Sequence, residues 1–211
     1  MTGIIHFETF LLAGILLNIT PGNDTIFILT RSIAQGKQAG IMSVFGIATG
    51  SIIHTTFAAL GLSLVISESI VAFSILKYAG AAYLVFIGYK MLVDPSHIEL
   101  KIQNKRPVAN LKQVYRDAVF TNLLNPKVAL FFIAFLPQFI DPAFKNTLVP
   151  FMLLGISFTM TGTIWCLALA NFASLTANKL KSNYKISYYV NKACGLALIG
   201  LGFKLALLQK K

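Results

Sequence analysis

The chain of 211 residues is 56% hydrophobic and 12% charged, with a mean hydropathy of +0.73 and a formal net charge of +11. Soluble domains carry about 25% charged residues, so a water-soluble globular domain is excluded for want of polar surface. The two cysteines, Cys166 and Cys194, lie in apolar stretches without a CxxC spacing and read as small buried residues, with a redox pair as the alternative.

Six apolar segments follow one another, at about 7–31, 40–66, 70–91, 117–140, 147–177 and 192–208. No Asp, Glu, Lys or Arg occurs from Gln38 to Ser67 or from Asn146 to Asn178. A spanning helix needs about 20 apolar residues, so these runs predict an integral membrane protein. The runs are continuous rather than alternating, which predicts helices and not barrel strands. The first Lys or Arg is Arg31, so no basic n-region of a cleaved signal peptide is expected.

The first segment is interrupted by "NITPGNDTIF", residues 18–27. Thr20 reads as an N-cap, Pro21 as a first helical residue and Asp24 as an acid in the first turn. Pro21 lacks an N–H and pushes Thr20 out of helical geometry, and Gly22 adds freedom. A helix is expected to stop near Asn18 and restart at Pro21. The second segment carries "GIATGSIIH", with Gly46, Gly50 and His54 on one face at intervals of four. Small residues at that spacing predict close helix packing. His54 is either a hydrogen-bonded interior residue or a proton relay. After the third segment comes the one long polar stretch, "DPSHIELKIQNKRPVAN".

The fourth segment contains a second break, "NLLNPK", residues 122–127, with Asn125 as the cap, Pro126 first in the restarted helix and Lys127 beside it. Asp24 is the one acid well inside a segment and Lys127 the one base. Buried charge is costly unless partnered, so they either pair with each other or meet a ligand. Lys127 opens a restarted helix, where the dipole favours anions. An anion is therefore expected beside it: Asp24 or a substrate carboxylate. Asp24 with unwound carbonyls could hold an ammonium, or Asp24 could carry a coupling proton. Asn18, Asn122 and Asn171 are further interior polar residues of lower specificity.

The loops after the first, third and fifth segments hold twelve of the eighteen Lys and Arg residues. Positive-inside bias puts those loops in the cytoplasm and both termini outside it. The charge is thus a topology signal, and no nucleic-acid partner is expected. The first half closes with a stretch that begins Lys-x-x-Gly at Lys77 and ends Gly-x-Lys at Gly88; the second closes with one that begins so at Lys192 and ends so at Gly202, one residue out of register. With a Pro break opening each half and an odd number of spans per half, the pattern is that of an inverted repeat. The expected architecture is an all-α integral membrane fold of six transmembrane helices in two inverted three-helix repeats. Residues 1–93 form the first, 94–116 a basic cytoplasmic connector, and 117–211 the second. There is no P-loop, HExxH, GxSxG or metal-spaced His/Cys cluster, so no cofactor, no bound metal and no enzyme activity are expected.

These pieces resemble the LysE/RhtB family of bacterial amino-acid exporters. "NITPGNDT", "GIATGSIIH", "LKYAGAAYLVFIGYKML" and "NLLNPKVALFFIAFLPQF" occur in the family's order and spacing, and the resemblance covers nearly the whole chain. Asn23 stands where the family often has a second Pro, and the last two spans match only in general character. The resemblance implies efflux of an amino acid or derivative across the cell inner membrane by proton antiport. Threonine, homoserine, homoserine lactone, leucine and lysine all occur as substrates in the family. With one interior acid, the sequence favours a neutral amino acid. Partners are then the substrate, protons and the lipid bilayer, with a homo-oligomer left open. Asn18, Thr20, Pro21, Gly22, Asp24, His54, Asn125, Pro126 and Lys127 are the candidate binding or coupling residues. Two alternatives are a cation or heavy-metal exporter of related architecture, and a membrane thiol oxidoreductase using Cys166 and Cys194.

Overall fold

Apolar runs of this kind have to satisfy their own backbone, and helices do so within one segment. The computed structural model describes residues 3–62, 70–93, 110–141, 143–144, 146–173 and 184–207. Among them the structure is helical, with a single isolated bridge between Ile4 and Ile140. The helices are α1 (Phe7–Ile19), α2 (Asn23–Gln35), α3 (Lys37–Phe57), α4 (Ile70–Val93), α5 (Leu111–Leu123), α6 (Pro126–Leu130), α7 (Leu148–Asn171) and α8 (Tyr184–Leu207). A π-helical turn, Ala58–Leu62, prolongs α3. A second, Phe131–Phe135, prolongs α6 and runs into a 3-10 turn at Leu136–Phe139.

By length and composition, Lys37–Gly61 and Leu148–Asn171 can each cross a membrane. Two bent pairs pass as units: α1 with α2, bent by 46°, and α5 with the Pro126–Phe139 helix, bent by 50°. The described residues therefore hold two spans, or four if each bent pair is one.

Several helices run beyond the apolar segments that announce them. α2 continues past Arg31 to Gln35, and stops where Gly36 takes a φ of 92°. α5 starts at Leu111 rather than 117, because the Asn110 side chain caps it by accepting the Lys112 N–H at 3.0 Å. α8 starts at Tyr184 rather than 192. Apolarity marks only the part of a helix that faces lipid or core; polar terminal turns extend past it. Residues 94–109 and 174–183, which include most of the expected connector and part of the last basic loop, lie outside the described residues.

The first break also differs from the expected register. α1 runs to Ile19, Thr20 is its C-cap, and α2 restarts at Asn23 with extended Gly22 at the N-cap. Thr20 therefore ends one helix instead of starting the next. Its N–H and hydroxyl both turn back to Leu16 O, at 3.0 and 2.7 Å, while Pro21 holds it at a ψ of 119°. The second break follows the expected pattern, with the Asn125 side chain accepting the Lys127 N–H at 3.1 Å and Pro126 first in α6.

Two apolar clusters fill the interior. The larger is built on Phe10, Phe131, Phe132, Phe135, Phe139, Phe151 and Phe158, with Phe131 and Phe158 stacked at 4.4 Å. The smaller holds Ile28, Val44, Ile47, Ala118, Cys166 and Ala170. α3 lies tightly along α5. A Cβ added at Gly46 would sit 2.5 Å from Tyr115 O, and one at Gly50 would sit 2.6 Å from Asn122 Oδ1.

Candidate functional site

The two breaks face each other between the clusters. Each supplies one charged side chain to the other. Lys127, in the first turn of α6, reaches back to the end of α1, and its Nζ donates to Leu17 O at 2.7 Å and Thr20 O at 2.8 Å. These are carbonyls that a helix C-terminus leaves without a partner, at the negative end of its dipole. A Cβ added at Gly22 would stand 3.6 Å from Nζ, so the N-cap of α2 lies directly beside the ammonium.

Asp24, in the first turn of α2, is held from the other break. Its Oδ2 accepts the Asn122 Nδ2 at 2.8 Å, and its Oδ1 accepts the Asn125 Nδ2 at 3.1 Å. An acid is well placed there, at the positive end of the α2 dipole. Asp24 and Lys127 form no ion pair with each other; among the described residues the one salt bridge is Arg31–Asp117, at 2.9 Å. In place of the expected anion, Lys127 Nζ is met by two neutral backbone carbonyls. The ammonium in the unwound carbonyls of α1 is the chain's own.

A cavity of about 50 Å³ opens between these groups. Asn18, Thr20, Gly22, Asp24, Asn125 and Lys127 all line it. Pro21, Pro126 and His54 do not. The two prolines shape the breaks from outside the cavity. His54 is one layer away, with Nε2 3.3 Å from Asn122 O and its ring stacked on Phe132 at 5.7 Å. Gly46 and Gly50 lie in the seam between α3 and α5. Asn18 ties the end of α1 to α7, donating to Thr161 Oγ1 at 3.2 Å and Phe158 O at 3.4 Å.

Further lining comes from Thr25, Ser51, Asn122, Thr159, Thr163 and Cys166. Asn122 is the important addition. It is 1% exposed, bonds Asp24, and carries an Oδ1 that is buried without a hydrogen-bond partner. Its signal in the sequence is an Asn in the last turn before a Pro break, the place Asn18 holds in the other half. Remaining walls are apolar, from Leu17, Val44, Ile47, Val128 and Phe158.

A water needs about 10–15 Å³ of such space, so the cavity has room for roughly four. A cavity of about 150 Å³ is needed for a benzene-sized ligand. The helices are therefore closed down around the polar groups. Among the described residues no group of three or more His, Cys, Asp or Glu could hold a metal ion. Cys166 and Cys194 are both free thiols and belong to different apolar clusters.

The profile of the LysE type translocator family matches residues 15–209. The chain belongs to that family. It is similar to the uncharacterized membrane protein YrhP of Bacillus subtilis (strain 168), with 33% identity over 90% of this chain and 92% of that one. It is also similar to proteins named leucine efflux protein in Salmonella choleraesuis (strain SC-B67) and Salmonella paratyphi A (strain ATCC 9150 / SARB42). Each is 27% identical over 98% of this chain and 97% of the relative. No solved structure matches. Membership makes this LysE-family chain a multi-pass membrane translocator, and members are transporters rather than enzymes.

Proposed function

We propose that the protein is a secondary transporter that exports a small neutral amino acid or derivative, of the leucine, threonine and homoserine class, in exchange for protons. The observation that carries this reading is the unfilled bonding capacity at the two breaks. Lys127 Nζ has three N–H groups and uses two on α1. A carboxylate offers about four acceptor sites, and Asp24 uses two. One cation and one anion lining one cavity match the two ends of a zwitterion. The substrate carboxylate takes the third N–H of Lys127, beside the N-terminus of α2. Its ammonium takes Asp24. The cavity lining contains no second acid for a basic side chain, which favours neutral substrates over lysine or arginine. Similarity to two leucine efflux proteins supports the same class.

The architecture in this reading is six spans in two inverted repeats, 1–93 and 117–211, joined by the basic connector 94–116. α4 and α8 supply the third span of each half. Each has 24 residues, about 36 Å at 1.5 Å per residue, against a hydrocarbon core of about 30 Å. They cross through matched glycines: a Cβ at Gly88 would meet Gly195 O at 2.5 Å, and one at Gly202 would meet Ala81 O at 2.9 Å. In this reading the basic loops lie in the cytoplasm and both termini lie outside it, in a bacterial inner membrane, as the positive-inside bias of the sequence favours.

The test is an efflux panel. Cells producing the protein are loaded with single amino acids or dipeptides, and export is followed with and without a proton uncoupler. Export of a neutral amino acid that collapses with the gradient is the expected result. Export that survives the uncoupler refutes proton antiport, and a panel without any exported amino acid refutes the substrate class.

A further inference from the structure

The two asparagines that hold Asp24 are not equivalent. The Asn125 amide is used at both ends: Oδ1 accepts the Lys127 N–H and Nδ2 donates to Asp24. Turning it over would break both bonds. The Asn122 amide is used at one end only. Nδ2 donates to Asp24, while Oδ1 lies buried and unpartnered against Gly50. An ionised carboxylate only accepts hydrogen bonds, so it fixes the Asn122 amide with its nitrogen toward Asp24. A protonated Asp24 also carries a donor, and the same amide can accept that O–H only by presenting its oxygen.

Resting on the exporter reading above, we propose that Asn122 is a two-position specificity residue that makes a substrate ammonium and a proton on Asp24 mutually exclusive. With Asp24 ionised, the orphan Oδ1 is the acceptor that, with the carboxylate, receives the ammonium once the cavity widens to admit substrate. When Asp24 takes a proton on Oδ2, the amide turns over. Its oxygen accepts the Asp24 O–H, and its Nδ2 points where the ammonium was held. A donor now faces a donor, and the substrate leaves. Asn125 keeps the other Asp24 oxygen throughout, so the link between the halves persists in both states. The one bond formed is the O–H on Asp24 Oδ2, made by the incoming proton; the carboxylate's negative charge is cancelled as the ammonium's positive charge departs. The missing Cβ at Gly50 leaves space at the atom that switches. The other titratable or charged groups facing Asp24 are Lys127 on α6, His54 on α3 and Cys166 on α7. None of them bonds the Asn122 amide. His54 reaches only the Asn122 backbone carbonyl.

The test compares leucine, or whichever amino acid the efflux panel selects, with its 2-hydroxy analogue, which keeps the carboxylate and lacks the ammonium. Equilibrium binding of both to the purified full-length protein is measured at alkaline and at acidic pH. The wild type is expected to prefer the amino acid by about tenfold to a hundredfold at alkaline pH, the worth of a charge-assisted hydrogen bond, and to lose that preference on acidification. Asn122→Leu is expected to bind the 2-hydroxy analogue as the wild type does, showing an intact fold, with little preference at either pH. Asn122→Ser, whose hydroxyl both donates and accepts, is expected to keep a reduced, pH-dependent preference, and decides the matter if the leucine variant fails to fold. A wild-type preference that does not change with pH, an Asn122→Leu variant with the wild-type profile, or a serine variant without pH dependence would overturn the proposal. Failure of both compounds to bind the wild type would overturn the exporter reading as well.

Discussion

Replacing Lys127 by Met removes the ammonium and keeps the length of the side chain. Two charge-assisted bonds to Leu17 O and Thr20 O are lost. At about 1.5–3 kcal/mol each, they sum to roughly 3–6 kcal/mol. An opposing term comes from the charge itself, which costs about 2.5–3.5 kcal/mol to hold at mid-membrane depth. The difference spans about −0.5 to 3.5 kcal/mol, and at mid-range the bonds win by about 1.5 kcal/mol. A water entering the cavity beside the orphaned carbonyls pulls the result to the lower half of that range. Near 1 kcal/mol, a protein of this size loses about 2–4 °C in Tm. Thermal unfolding in detergent, followed through Trp165, reads this directly. Lys127→Arg keeps the charge but not the compact ammonium that fits between two carbonyls, and should fall between wild type and Met. Both variants should export poorly, with the Met variant worse, because the substrate carboxylate loses its partner. A Lys127→Met protein with unchanged Tm and unchanged efflux would refute the assignment of Lys127 as the tie between the breaks.

Asp24→Asn should reach the membrane at normal levels and lose proton-coupled export. The freely turning Asn122 amide can accept from the new amide while Asn125 still donates to it, so the fold survives and the proton site does not; efflux against an imposed pH gradient measures this. Gly50→Ala places a Cβ 2.6 Å from Asn122 Oδ1, an overpacking cost of about 1–3 kcal/mol. Gly200→Ala, with nothing within 4 Å of the new carbon, should gain up to about 1 kcal/mol; paired melting curves decide it. The Arg31–Asp117 bridge, 21% and 31% exposed at its two side chains, should be worth under about 1 kcal/mol, so Asp117→Asn should shift Tm by no more than about 4 °C.

The membrane class, the two proline breaks and their two charges are legible in the residues because each has a chemical signature. A Pro removes a donor, and a charge in an apolar run demands a partner. The identity of that partner is not legible. Lys127 finds backbone carbonyls at the end of α1, and a carbonyl looks the same at every position of a sequence. Thr20 illustrates a second limit. Before a proline it reads equally well as the start of a helix or the end of one, and its back-bond to Leu16 selects the end. Asn122 shows a third. Three interior asparagines resemble each other on the page, and only the register of α5 against α2 brings this one to Asp24.

On the proposed exporter reading, the unequal apolar clusters beside the cavity predict which way it opens. Exposing a large buried side chain costs about 1.5–3 kcal/mol. Opening past Ile28, Val44 and Ile47 exposes three, roughly 5–9 kcal/mol. Opening through the phenylalanine cluster exposes seven rings, roughly 10–21 kcal/mol. The smaller cluster lies toward Arg31, Asp117 and the ends of α2 and α7, the side proposed above to be cytoplasmic. In the orientation proposed above, an exporter collects its substrate on that side, and the thinner barrier faces the compartment from which loading occurs. In a background with Cys166 and Cys194 replaced by Ala, which should itself export normally if the thiols have no redox role, Val44→Cys should react with a membrane-impermeant maleimide added to inside-out vesicles. Phe132→Cys should stay unreactive from both faces until substrate and a proton gradient are supplied. Faster labelling at Phe132 than at Val44 in resting vesicles would reverse the assignment of the gates.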